Sequence, residues 1–156
     1  MKSASLNFLT ALVICAFPGA PAPAASDPLL SVAKSIAIEP CSASLAGGTV
    51  RLATTGLQRQ AGRFTGNYEL KVVPYFFKSE NGTVSISVAE ESLRKLAAGS
   101  TVNLAGKVVT SGSGKTRAIR VKATPTGVDA AKGTATISIS TENGELVFAT
   151  EYTFGR

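Results

Sequence analysis

Residues suited to acid–base or metal chemistry are few in this chain. It contains no histidine, which removes the usual general base and the commonest metal ligand together. Its two cysteines, Cys15 and Cys41, do not complete a closed zinc site without histidine, so no metal and no cofactor is expected. The ten acidic residues could still act in pairs, as in carboxylate-based hydrolysis. Their positions speak against it. Glu80, Asp129, Glu142 and Glu145 fall at expected turns, Glu90 and Glu91 at a helix start, and Glu69 and Glu151 on the outward phase of strands. No GxSxG elbow marks an activated serine. An enzyme is not expected, and a carboxylate-based hydrolase ranks third among the functions considered.

Three other stretches invite a functional reading. Gly112–Thr116 reads GSGKT, but the full phosphate loop needs a glycine where Val109 stands and a helix after it. Here a strand-like run follows, so a hairpin turn is expected. The same hairpin concentrates Lys107, Lys115, Arg117, Arg120 and Lys122, with Lys107, Arg120 and Lys122 on one outward face. A nucleic-acid platform would interleave aromatics with these cations, and the hairpin has none, so an anionic surface is the better partner. The third stretch is Pro74–Phe77, PYFF, in which Phe76 is expected to point away from the inner face. There it is either covered by Leu93 and Leu96 or free to meet a partner.

The chain has 156 residues and a formal charge of +6, a moderate balance that favours loose attraction to anionic surfaces and also keeps proteins soluble. Residues 1–25 read as a cleaved secretory signal: Lys2, an apolar run from Leu6 to Phe17, then Ala22-Pro23-Ala24. The run is shorter than the roughly 20 residues needed to span a bilayer, so no membrane span is expected. Export to the periplasm or the extracellular space follows. About 130 residues then remain, enough for one core. Cys41 is left alone, which implies a free thiol or an intermolecular disulfide joining two copies.

These residues are positioned by strands. Residues 26–48 read as an N-terminal arm or short helix and linker: Asp27–Ala37 has helical spacing, while Ile36–Ile38 also suits a brief strand ended by Pro40. Residues 49–156 read as one β-domain. Val50 and Leu52 alternate in a first strand, and LQRQAG connects it to Arg63–Phe77. That central stretch holds five of the eight aromatics left after the leader, and Phe64, Gly66, Tyr68, Leu70 and Val72 share one face. A type I′ turn at Asn81-Gly82 would place Phe77 against Ile86 and Tyr75 against Val88, forcing a phase slip and bulge at Pro74. Glu90–Ala98 reads as a helix with Leu93 and Leu96 buried and Gly99 as its cap. Two hairpins follow. One pairs Val102 with Ala123, Leu104 with Val121 and Gly106 with Ile119; the other turns at Asn143-Gly144 and pairs Ile139 with Phe148.

The fold expected is all-β: about seven antiparallel strands in up-and-down (meander) order, forming a small barrel or two-layer sandwich, with one short helix after the third strand. In architecture such a barrel resembles lipocalin-like and isoprenoid-carrier barrels. The function expected is exported, non-enzymatic binding or scaffolding. As a carrier of an apolar small molecule, it would use Phe64, Tyr68, Leu70, Phe148 and Tyr152 to line a cavity. As an interaction module for an envelope protein or anionic surface, it would use Phe76, Lys107, Arg120 and Lys122.

Overall fold

The computed structural model describes residues 33–45, 47–127, 130–142 and 144–155. The signal expected at 1–25, together with Asp129 and Asn143, lies outside these residues, as does the side chain of Phe76. The strands are β1 (Ser35–Ile38), β2 (Cys41–Leu45), β3 (Gly48–Thr54), β4 (Leu57–Gln60), β5 (Arg63–Val73), β6 (Glu80–Ser87), β7 (Val102–Thr110), β8 (Thr116–Pro125), β9 (Lys132–Thr141) and β10 (Gly144–Gly155). One helix, α1 (Glu90–Ala97), follows β6.

The sheet closes on itself. From β5 to β10 each strand pairs antiparallel with the next, β10 pairs with β1, β1 with β4, and β4 with β5. β2 continues the course of β1, and β3 that of β4, with β2 and β3 paired and β3 also on β5. Counted this way the molecule is an eight-strand antiparallel meander barrel. Closure removes most of the pairable edges an open meander would present.

Alternation explains the interior. Phe64, Tyr68, Leu70 and Val72 of β5 are buried, as are Val84 and Ile86 of β6, Ile119, Val121 and Ala123 of β8, and Ile137 and Ile139 of β9. Their outward neighbours are mostly serine, threonine, lysine and glutamate. This apolar-in, polar-out pattern is the reverse of a barrel whose wall faces lipid. No helix among the described residues is long and apolar enough to cross a membrane.

Several local expectations need correction. Residues 33–37 are not helical: Ile36 pairs with Phe154 and Ile38 with Tyr152, so the boundary expected at Thr49 falls inside the barrel. LQRQ is strand β4, not a connection, and a two-residue turn at Ala61-Gly62, both at positive φ, returns the chain to β5. β5 keeps one phase to its end at Val73. Asn81-Gly82 lies within β6, opposite Glu69 and Tyr68, so it is no turn. Gly82 is required there because a Cβ would meet the Val109 carbonyl and stand 2.9 Å from Tyr68 Cε1. Tyr75 and Phe77 face solvent on a connection that contains a 3-10 turn at Phe76–Lys78.

The phase slip occurs elsewhere. Between Thr54↔Tyr68 and Gln58↔Thr65 one strand advances four residues while its partner advances three, the signature of a bulge. At the bulge Thr55 N donates to Asn67 O and Asn67 N donates to Thr55 Oγ1, each at 3.0 Å. A hydroxyl thus does the work of a ladder carbonyl. Gly66 beside it makes room for Leu57, whose Cδ2 would sit 2.6 Å from a Cβ at that position.

The β7–β8 register is as expected, from Val102↔Ala123 to Gly106↔Ile119. In the last hairpin the register differs by two residues, with Leu146 opposite Ile139 and Phe148 opposite Ile137. A two-residue shift preserves the inward face, which is why the hydrophobic pattern alone did not resolve it.

Candidate functional site

Three regions could act on another molecule: the two ends of the barrel and its outer wall. At one end α1 forms a plug. Glu90 and Glu91 occupy its first turn, where the helix dipole favours negative charge, and Glu91 bonds Lys95 at 2.7 Å. Leu93 and Leu96 are fully buried. Beneath them Ile36, Phe64, Val88, Tyr152 and Phe154 enclose a void of about 20 Å³. A water needs roughly 10–15 Å³ by this measure, whereas small-molecule sites run to several hundred. The interior at this end is filled.

The candidate carrier residues are all inward and buried, but they do not surround one space. Phe64 and Tyr152 both pack on Phe154, with ring centroids 5.9 and 5.4 Å away. Tyr68 lies toward the other end, opposite Gly82. The Tyr152 hydroxyl has no hydrogen-bond partner, and burial raises its pKa to about 12. It rests over Gly133, where a Cβ would stand 2.6 Å from the oxygen.

At the opposite end the interior holds an ion pair that the sequence reading did not place. Glu80 follows the inward phase of β6, and Arg117 the inward phase of β8. The two side chains, each 17 % exposed, form a bidentate pair in which Arg117 Nη2 donates to Glu80 Oε2 at 2.9 Å and Nη1 donates to Oε1. Tyr68 Oη lies 3.1 Å from Thr110 Oγ1 and donates to Glu80 Oε1 at 3.5 Å. The carboxylate holds the guanidinium pKa above its usual value, and burial raises that of Tyr68. Glu80 is thus not a turn residue, and Arg117 does not belong to the outer basic cluster. Strand parity carried the signal, since Glu80 shares it with Val84 and Ile86, and Arg117 with Ile119 and Val121.

Glu80 is the one part-buried carboxylate among the described residues, and the others are exposed. No three Cys, Asp or Glu among the described residues converge closely enough to hold a metal. The SxxK spacing Ser92–Lys95 lies on α1, where Lys95 is engaged by Glu91. Cys41 is a free, half-buried thiol on β2. Burial raises its pKa, and a bond with Thr150 offsets part of this.

The outer wall brings the remaining candidates together. Lys107, Arg120 and Lys122 are exposed. Lys107 stands opposite Ala118, Arg120 opposite Ala105 and Ser138, and Lys122 opposite Asn103 and Thr136. These neighbours are small or polar, and Arg120, Lys122 and Glu145 line a shallow groove of about 490 Å³. None of the three cations forms a salt bridge with a described carboxylate. Lys115, in contrast, is paired with Glu142.

No protein family, curated protein or solved structure matches this chain.

Proposed function

We propose that this protein is an exported, non-enzymatic barrel that acts in the cell envelope or outside the cell by binding an anionic polymer or surface through its outer wall. The observation that carries this reading is the group of cations at Lys107, Arg120 and Lys122, without a salt bridge among the described residues and presented by adjoining strands beside small or polar residues. Such a face lets a chain of negative charges approach closely. An apolar carrier has less support, because a void of about 20 Å³ holds no cargo. The part-buried carboxylate, Glu80, is occupied by Arg117, which leaves a hydrolase little to work with.

The test is affinity for dextran sulfate at low and moderate salt. Each cation at an anionic surface is worth about 1 kcal/mol, so replacing Lys107, Arg120 and Lys122 together by serine lowers affinity on the order of 100-fold. A triple variant that binds as tightly as the parent overturns the reading. Native mass spectrometry without reductant provides a second check. A small molecule that leaves on denaturation would return the carrier to first place.

A further inference from the structure

The exposed apolar side chains of this barrel are gathered at one end. Among the described residues the large exposed hydrophobics are Leu45, Tyr75, Phe77 and Val147. Leu45 is at the β2–β3 turn, Tyr75 and Phe77 are on the β5–β6 connection, and Val147 is near the β9–β10 turn. All three connections lie at the end opposite α1, where the buried leucines close the barrel. The aromatic loop is the most prominent of these features. Phe77 is 82 % exposed and Tyr75 41 %. Their rings meet edge to face at 6.0 Å, and Lys78 Nζ sits 5.3 and 5.9 Å from the two centroids. Tyr75 also reaches toward the β2–β3 turn, its hydroxyl 3.8 Å from where a Cβ at Gly47 would stand.

Size and charge decide what such a tip fits. An aromatic side chain offers 150–250 Å² to bury, so these two exposures together supply about 250 Å². A stable protein interface takes about 800 Å² from each partner. A pair of rings is too small for that, but it suits the boundary between lipid headgroups and acyl chains, where tyrosine seats with its hydroxyl wet and phenylalanine buries its ring. Lys78 has no salt bridge with a described carboxylate, and the chain carries +6 overall. Both features match a negatively charged surface.

We propose that the Pro74–Lys78 loop is an interfacial anchor. It seats Tyr75 and Phe77 in the headgroup region of an anionic bilayer and leaves Lys78 to meet lipid phosphate. This site goes beyond the basic wall and is separable from it, since the two use different residues.

The composition of the chain supplies the probe. It has no tryptophan and three tyrosines, and Tyr68 and Tyr152 are buried. A quencher carried on brominated acyl chains therefore reports Tyr75. The full chain without its leader is floated with vesicles of phosphatidylethanolamine and phosphatidylglycerol, with phosphatidylcholine vesicles as the neutral comparison. The expected result is co-flotation with the anionic vesicles and quenched tyrosine emission. Phe77→Ser weakens binding about tenfold or more, while Tyr75→Phe, which removes the exposed fluorophore, abolishes the quenching. Phe77 is largely in solvent, so its serine variant keeps the parent's circular dichroism melt. Three outcomes overturn the anchor: no flotation with anionic vesicles, flotation without quenching, or flotation that Phe77→Ser leaves unchanged. The last would assign membrane attraction to the wall cations alone.

Discussion

Glu80→Gln is the substitution whose outcome the barrel predicts most sharply. Glutamine keeps the shape of the side chain and removes its charge, leaving Arg117 facing inward beside Tyr68 and Thr110. Two unit charges about 4 Å apart attract by about 4 kcal/mol at an effective dielectric of 20. Sparing Glu80 its own desolvation offsets part of that loss, and breaking a fully buried pair costs 3–5 kcal/mol. At 17 % exposure the screening is slightly greater, and a cost of about 2–3 kcal/mol is expected. For a domain of this size that lowers the melting temperature by roughly 10 °C, read by circular dichroism. Glu80→Leu combined with Arg117→Met removes both charges and recovers most of the loss, to within about 1 kcal/mol of the parent. A Glu80→Gln protein melting within about 2 °C of the parent would refute the reading of Glu80 and Arg117 as a stabilising interior ion pair.

Other outcomes follow from the same packing. Gly106→Ala would press a Cβ onto the Ser85 carbonyl and to 2.9 Å from Ile119 Cγ2, costing about 2 kcal/mol in a denaturant titration; Gly56→Ala, with nothing within 4 Å, costs almost nothing. Stability falls as pH rises from about 10 through 12, because the folded state retains the Tyr152 proton where the unfolded chain releases it. Tyr152→Phe flattens that slope, and at neutral pH it changes stability by no more than about 0.5 kcal/mol, since no hydrogen bond is lost. Cys41, its thiol pKa raised by burial, reacts with a disulfide reagent at pH 7 more slowly than the same chain in denaturant, and the gap narrows as pH increases.

The sequence determined the all-β class, the meander order, the helix and most of the inward face. Each rests on local periodicity, and alternation over the eleven residues of β5 or the two turns of α1 can be read without knowing what lies across the barrel. The β7–β8 register was equally legible, because its turn and its hydrophobic pattern agree. Tertiary structure alone decided the rest. Local pattern leaves residues 33–38 open between a helix and a brief strand, because the partner that makes them extended is β10, more than a hundred residues away. A turn at Asn81-Gly82 would have turned Tyr75 and Phe77 inward, yet β6 already begins at Glu80 and leaves these two rings no inner partners. Glu80 and Arg117 were read as surface residues because they are charged; only a closed barrel brings two inward positions from β6 and β8 close enough to neutralise one another. Whether the interior would be a cavity or a filled core also depended on closure. Side-chain volumes can be summed from the sequence, but the space they must fill is set by strand number and tilt.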